Sequence, residues 1–152
     1  MNAEAAQRYV EEAIVLDEGS KENYELLGDA YEKQGDIDKA VESYKKVFSM
    51  DNKYLSVCEK LIQLYLKNGN YEGVLAHCDT VMSYIPVDVL TAKARTLTSI
   101  YLSCVLYKGW ALVYLNHYED AVKETSRRKE LYIDTKAPIY PRMFKGDDEA
   151  FY

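Results

Sequence analysis

Two segments of this chain, 24–52 and 58–86, carry matching landmark residues 34 positions apart. The landmarks Tyr24, Leu27, Gly28 and Tyr31 correspond to Cys58, Leu61, Ile62 and Tyr65. Further along, Gly35, Ala40, Tyr44, Val47 and Asn52 correspond to Gly69, Val74, Cys78, Val81 and Pro86. A fixed period of this length indicates stacked supersecondary units, each of which buries its apolar face against the next unit.

The period also predicts where the helices begin and end. The first full unit should have one helix over residues 21–33 and a second helix that ends near Met50. Between them, Gly35 supplies a left-handed residue that ends a helix at little cost, and Asp36 is a suitable N-cap for the next helix. The second unit repeats this arrangement, with Gly69 in its inner turn and Pro86 as its outer stop.

This pattern resembles the tetratricopeptide repeat, a pair of antiparallel helices of 34 residues. The resemblance implies an all-α fold, a helix-turn-helix solenoid that winds as a right-handed superhelix. It predicts a single domain over residues 1–132, made of a half repeat, two full repeats and a degenerate extended repeat. The predicted boundaries are 1–20, 21–54, 55–88 and 89–132, followed by an extended or mobile tail over 133–152.

The flanking units depart from the pattern. Residues 1–16 align with the second helix of a repeat whose first helix is missing. Either the chain is a fragment, or this helix is a simplified cap, or something else covers it; we favour the cap. Residues 89–115 contain no Gly or Pro before Gly109 and predict one long or kinked helix. Either Gly109 or Ala111 is the small landmark of this third unit, and a last helix should run from Tyr118 to near residue 132.

Composition narrows the class of partner. The net charge is -6 and the pI is about 5.0, which disfavours nucleic acid and favours a basic peptide or protein surface. The three cysteines, Cys58, Cys78 and Cys104, are an odd number, and the first two stand at inward-facing positions. Reduced, buried thiols in a cytoplasmic protein are therefore expected.

The apolar stretch over residues 97–115 is long enough to raise the question of a membrane span. Lys108 lies within it, and a lysine near the bilayer centre costs about 2.5–3.5 kcal/mol on insertion scales. A single span would also leave the amphipathic repeats without a role. A helix buried on several sides of a protein core is the better interpretation, and membrane association is not expected.

The resemblance implies that the first helices of successive repeats line a concave, partner-binding groove. In the first full repeat the residues expected there are Glu22, Glu25, Asp29, Glu32 and Lys33. In the second repeat they are Ser56, Glu59, Gln63, Leu66 and Lys67. The four carboxylates of the first set share one helical stripe. The stripe is either the solvated face of an amphipathic helix or an acidic groove for a basic or amphipathic peptide.

The same resemblance excludes one kind of ligand. Family members that bind the C-terminal carboxylate of heat-shock proteins place Lys and Asn in the first groove helix. Here Glu25 and Asp29 stand at those places, and Lys60 replaces the Asn of the next helix. Carboxylates repel a ligand carboxylate, so clamp-type binding is not expected.

No catalytic, metal or cofactor motif is present in the sequence. The two histidines, His77 and His117, belong to no triad or metal pattern and are expected to point outward. There is no glycine-rich phosphate loop and no paired-cysteine motif. The predicted function is therefore a non-catalytic protein-interaction module or adaptor that binds a peptide or protein segment. The alternative is a structural subunit that forms a homo-oligomer or a larger assembly through its terminal helices.

Overall fold

The computed structural model describes residues 2–87 and 95–135, with side chains over 2–87 and 96–127. Within these residues the secondary structure is helical throughout, which confirms the all-α prediction. The helices are α1 (Ala3–Leu16), α2 (Lys21–Gln34), α3 (Ile37–Met50), α4 (Leu55–Lys67), α5 (Tyr71–Ser83), α6 (Arg95–Tyr114) and α7 (Tyr118–Thr135). The bounds of α2 to α5 follow the 34-residue period closely.

The chain divides into two compact units, Met1–Leu64 and Tyr65–Tyr152. The division falls near the end of α4, inside the second predicted repeat rather than between repeats. That residues 1–132 act as one domain stays a prediction. Helix α7 continues to Thr135, so residues 133–135 of the predicted tail belong to that helix. Residues 136–152 lie outside the described part of the chain, as do residues 88–94.

In the first unit, local signals explain the helix ends. The Ser20 side chain accepts a hydrogen bond from the Asn23 amide, and the Asp36 side chain accepts one from the Lys39 amide. Gly35 has a φ of 80°, and its amide bonds back to the last turn of α2. These N-caps and the left-handed glycine satisfy backbone groups that a helix end otherwise leaves without partners.

The core of the first unit forms where α2 packs on α3. Ala40, Tyr44 and Val47 of α3 are fully buried, and Gly28 of α2 lies against the Tyr44 ring. The spacing of these α3 residues puts them on one helical face. Packing against α2 therefore explains why a Gly and a Tyr stand at these two landmarks in this repeat. α1 packs on α2 as well, yet none of its residues is buried.

In the second unit, α6 packs on both α5 and α7. Cys78 and Cys104 are buried there, as Cys58 is in the first unit, which confirms the expected burial of the three thiols. One prediction was wrong: His77 is buried rather than outward-facing, with its ring centroid 6.4 Å from that of Tyr65. It follows the helical spacing of the buried α5 residues Val74 and Val81, so its position is a core position.

The structure resolves the register of the third unit. A Cβ placed on Gly109 would collide with the Thr125 side chain, just as one on Gly28 would collide with Tyr44, and both pairs have the same separation in sequence. Asn116, with a φ of 64°, stands where Gly35 and Gly69 end their helices. The small landmark of α6 is therefore Gly109, not Ala111, although Ala111 is also fully buried.

Helix α6 is long and apolar enough, by length and composition, to cross a membrane over Thr96–Tyr114, and 67% of that stretch is buried inside the protein. The Lys108 ammonium lies 2.6 Å from an Asp79 carboxylate oxygen and 3.3 Å from one of Glu124. Length and composition alone do not distinguish a core helix of this kind from a membrane-spanning helix. The burial and the ion pairs are what the core interpretation predicts.

Candidate functional site

The candidate site is the stripe of carboxylates on α2, defined by Glu22, Glu25, Asp29 and Glu32 and called here the acidic stripe. Glu22 is exposed in the first turn of α2, and the other three are partly buried. The four residues are spaced by three or four positions, which places them on one helical face as predicted. Four like charges so close together repel one another, so the arrangement needs compensation from elsewhere in the unit.

That compensation comes from Lys60 of α4. Its ammonium lies 2.8 Å from Glu25 Oε1 and 2.7 Å and 2.9 Å from the two oxygens of Asp29. The side chains of Lys60, Glu25 and Asp29 are 29%, 13% and 36% exposed, so the ion pairs are partly shielded from water. Charged hydrogen bonds of this length are among the strong ones in proteins, and here they join α2 to α4.

The Tyr44 hydroxyl supplies the second compensation. It donates to Asp29 Oδ1 at 2.7 Å and lies 3.1 Å from Glu32 Oε2, so one hydroxyl serves two carboxylates. The Lys60 ammonium also lies 5.7 Å from the centroid of the Tyr44 ring, within range of a cation–π attraction. The core residue Tyr44 of α3 therefore contacts two carboxylates of the acidic stripe, Asp29 and Glu32, through its hydroxyl.

These contacts shift the ionisation of the site. Burial favours the neutral acid at Glu25, but hydrogen bonds from Lys60, Ser56 and Tyr54 outweigh it and lower the pKa of Glu25. Burial also disfavours the charged form of Lys60, but hydrogen bonds to Asp29 and Glu25 outweigh it and raise the pKa of Lys60. Burial together with the bonds to Asp29 raises the pKa of Tyr44 far above its usual range. The ammonium, the Glu25 carboxylate and the neutral tyrosine are all stabilised near neutral pH.

The other predicted groove residues are placed less uniformly. Ser56 joins the cluster, since its hydroxyl donates to Glu25 Oε1 at 2.6 Å. Glu59 is half-buried on α4, whereas Lys33 and Gln63 are exposed. The remaining two predicted residues, Leu66 and Lys67, belong to the second compact unit, where Leu66 is half-buried and Lys67 exposed. That all ten residues form one groove stays a prediction.

Two residues of the cluster escaped the sequence-based assignment. Lys60 was noticed only as a departure from the carboxylate-binding pattern, and Tyr44 only as a core landmark. A signal for Lys60 does exist, because it is a cation on the first helix of the next repeat, which should neighbour α2, at the place that corresponds to Leu26 beside Glu25. The signal for Tyr44 is weaker, since nothing in a landmark tyrosine tells where its hydroxyl will point.

Within the first unit the cluster therefore offers carboxylates that hydrogen bonds and ion pairs hold in fixed positions. Glu22 and Glu32 add negative charge beside Glu25 and Asp29, and Lys60 offsets one of the two charges of that pair. Such a surface attracts ammonium and guanidinium groups and repels anions. No group of three or more residues able to hold a metal ion occurs among the described residues.

A family comparison agrees with the periodicity. Residues 22–54 match the model of the tetratricopeptide repeat. That range covers α2, α3 and the turn that carries Gly35, the same segment that the spacing identifies as the first full repeat. A search of curated proteins found no relative.

The fold is shared with solved structures, 17 chains of which match. Two of them, described as crystal structures of MamA protein and of MamA, superpose with TM-scores of 0.64 and 0.63. Both are 18% identical to this chain and cover 86% of it. The chain spans 64% of the length of the first and 69% of the second, so it corresponds to less than two thirds of the first structure. At this identity the similarity establishes the fold alone.

Proposed function

Since this chain carries a tetratricopeptide repeat at residues 22–54, within a helical fold that it shares with MamA, we propose that it is a protein-interaction scaffold that binds a basic or amphipathic polypeptide segment on its acidic stripe. Tetratricopeptide repeats generally bind other polypeptides and do not catalyse reactions, so the role that we propose is non-catalytic. A cytoplasmic location is part of the same proposal, supported by the three buried, free thiols.

The observation that carries the proposal is the fixed position of the two central carboxylates of the stripe, Glu25 and Asp29. Lys60, Tyr44 and Ser56 hold the oxygens of Glu25 and Asp29 at hydrogen-bond distances, so these carboxylates do not have to be ordered when a ligand arrives. Preorganised charges bind with a smaller entropic cost than mobile ones. The exposed Glu22 at one end extends the negative surface, and complementary charge steers a basic partner toward it.

The test is a binding titration of a fluorescein-labelled lysine–alanine peptide, followed by anisotropy at several salt concentrations. Glu22→Lys reverses a charge of the stripe at an exposed position without touching the Lys60 contacts. We expect it to weaken binding at low salt by about fivefold to tenfold, the effect of about 1 kcal/mol or slightly more. We also expect affinity for the unchanged protein to fall as salt rises.

The matched control is Glu42→Lys, which makes the same change of net charge at an exposed position on α3. It should weaken binding clearly less than Glu22→Lys does, because Glu42 lies on α3 and outside the stripe, and the attraction between charges falls with distance. Equal effects of the two variants would mean that only net charge matters. A glutamate–alanine peptide that binds as tightly as the lysine–alanine peptide would contradict the proposal.

Self-association is a second candidate, and helix α1 is the feature that favours it. Tyr9, Val15 and Leu16 of α1 are largely exposed, with Leu16 at 88%, so the helix presents apolar side chains to solvent. The long helix α6 gives this candidate less support, because Leu102, Val105 and Leu106 are buried within their own unit. Light scattering over a concentration series, with Leu16→Lys as the variant, tests it: a dimer that Leu16→Lys splits would support assembly.

A further inference from the structure

We propose that the Lys60 side chain acts as an internal competitor: it occupies, between Glu25 and Asp29, the place that a cationic group of a partner would take. The inference rests on the proposed function, since it concerns which part of the acidic stripe a basic segment reaches. It assigns Lys60 a role in setting affinity and specificity in addition to its role in joining α4 to α2 by ion pairs.

The geometry around the ammonium is that of an occupied cation site. Three carboxylate oxygens, one from Glu25 and two from Asp29, lie within 2.9 Å of Lys60 Nζ. The face of the Tyr44 ring lies 5.7 Å away, and the Tyr44 hydroxyl orients Asp29 from the other side. An ammonium has three N–H donors, and here carboxylates accept them in a partly desolvated setting.

The site is also reachable from solvent. Asp29 is 36% exposed and Lys60 29%, so part of the ion-pair cluster faces water rather than the core. A lysine or arginine of a partner would meet the same oxygens only if the Lys60 ammonium moved aside. Because a lysine side chain has a flexible four-carbon stem, such a displacement needs no backbone change.

The carboxylates of the stripe therefore differ in how they meet a partner, because Lys60 pairs with Glu25 and Asp29. While Lys60 is in place, its single positive charge offsets one of the two negative charges of Glu25 and Asp29, and an incoming basic segment is attracted by the net charge that remains there and by Glu22 and Glu32. Removing the Lys60 charge leaves two fixed carboxylates without a counter-ion. The protein should then be less stable but should bind cations more tightly.

The first experiment tests the site without any assumption about a peptide partner. Lys60→Ala removes the side chain, and thermal unfolding is followed by circular dichroism in n-butylammonium chloride or tetramethylammonium chloride at equal ionic strength. n-Butylammonium resembles the missing side chain and donates hydrogen bonds, whereas tetramethylammonium does not. We expect n-butylammonium to raise the Tm of Lys60→Ala by at least about 2 °C more than tetramethylammonium does, through binding to the folded state.

The unchanged protein is the control and should show no difference between the two salts. If Lys60→Ala is unfolded, the same comparison is made on recovery of helical signal, which n-butylammonium but not tetramethylammonium should restore. Equal responses of Lys60→Ala to the two cations would overturn the inference, because no external ammonium would then take the place of Lys60.

The second experiment measures competition directly with the lysine–alanine peptide. Lys60→Met keeps much of the side-chain volume but removes the charge, and Lys45→Met removes the same charge from an exposed position on α3. We expect Lys60→Met to bind the peptide about tenfold more tightly than the unchanged protein and to show a steeper salt dependence. Lys45→Met should change the affinity by less than about twofold.

The two experiments separate the inference from the proposed function. Amine-dependent stabilisation of Lys60→Ala with no peptide binding by any variant would support the cation site and contradict the proposed partner class. Peptide binding that is unchanged or weaker in Lys60→Met would show that Lys60 does not compete, even if the acidic stripe is the binding surface.

Discussion

Gly28 lies directly against the ring of Tyr44, and a Cβ at residue 28 would stand 2.6 Å from Cδ1 of that ring. The ring is fully buried, and its hydroxyl donates to Asp29 and lies 3.1 Å from Glu32 Oε2, so a shift of the ring would disturb these contacts. One contact therefore links three properties of the first unit: the approach of α2 to α3, the orientation of a core tyrosine and the position of the carboxylates on the stripe.

Gly28→Ala should destabilise the first unit. Overpacking a buried contact costs about 1–3 kcal/mol, and the better helix propensity of Ala returns up to about 1 kcal/mol, so we expect a net loss of about 1–2 kcal/mol. Urea unfolding followed by circular dichroism measures it. In a double-mutant cycle, Tyr44→Leu should relieve most of the penalty by removing the ring. Equal costs of Gly28→Ala in the presence and absence of the ring would contradict this explanation.

The stability of the protein should depend on whether a left-handed turn residue, Gly35 or Asn116, is replaced by a residue with a Cβ or by glycine. Gly35 has a φ of 80°, so Gly35→Ala should cost about 1 kcal/mol, because a Cβ is disfavoured in that conformation. Asn116 occupies the corresponding turn of the third unit with a φ of 64°. Asn116→Gly should be neutral or slightly stabilising, and Asn116→Val should be strongly unfavourable. Thermal unfolding of the three variants tests whether backbone conformation alone sets this order.

The ion pairs of Lys60 predict a specific acid sensitivity. The folded protein lowers the pKa of Glu25, so its contribution to stability is complete above the unfolded value of about 4.3 and is lost as the pH falls below it toward the folded pKa. Lys60→Met removes the main stabilising partner. The stability difference between the unchanged protein and Lys60→Met should therefore be largest near pH 7 and should shrink as the pH falls from about 5 to about 3.

Urea midpoints measured at a series of pH values provide this comparison. The difference at neutral pH should be about 1–2 kcal/mol, since the cluster is only partly shielded from water. The acid-dependent part should be absent from Lys45→Met, which leaves the cluster intact. A stability difference that stays constant over the whole pH range would indicate that Lys60 contributes by packing rather than by charge.

The second unit has its own buried lysine, and its two partners should not be equivalent. Lys108 is 12% exposed and pairs with the exposed Asp79 and with Glu124, which is 13% exposed and also pairs with Arg127. Lys108→Met leaves the shielded Glu124 carboxylate with less compensation and should cost about 2–4 kcal/mol. Asp79→Asn affects only the exposed pair and should cost less than about 1 kcal/mol. Denaturant unfolding of both variants distinguishes the cases, and similar losses would contradict the assignment.

The repeat pattern predicted α2 to α5 well because their landmarks report packing that recurs in each unit. Ala40, Val74 and Ala121 are all buried at corresponding places, and Gly35, Gly69 and Asn116 all adopt left-handed conformations. The third unit was ambiguous because α6 is apolar around its whole circumference, so no stripe marks the side that meets α7. The close approach of Gly109 to Thr125 and the left-handed Asn116 identify the register.

Charge was harder to predict than shape. A helical spacing places Glu22, Glu25, Asp29 and Glu32 on one face, but it does not reveal what lies opposite them. The compensating groups, Lys60 and the Tyr44 hydroxyl, come from other helices and depend on contacts between residues distant in sequence. The burial of His77 was missed for a similar reason, because a polar residue at a core spacing was assigned by its chemistry instead of its position.

The sequence by itself determined the helical architecture, the turn residues and the apolar positions of the repeats, since helix propensity, capping and periodicity act over short stretches of chain. Only the tertiary structure decided which carboxylates remain available to a partner. That outcome depends on Lys60 reaching Glu25 and Asp29 across two helices, and an ion pair of this kind is favourable only at distances and burial that folding of the whole unit creates.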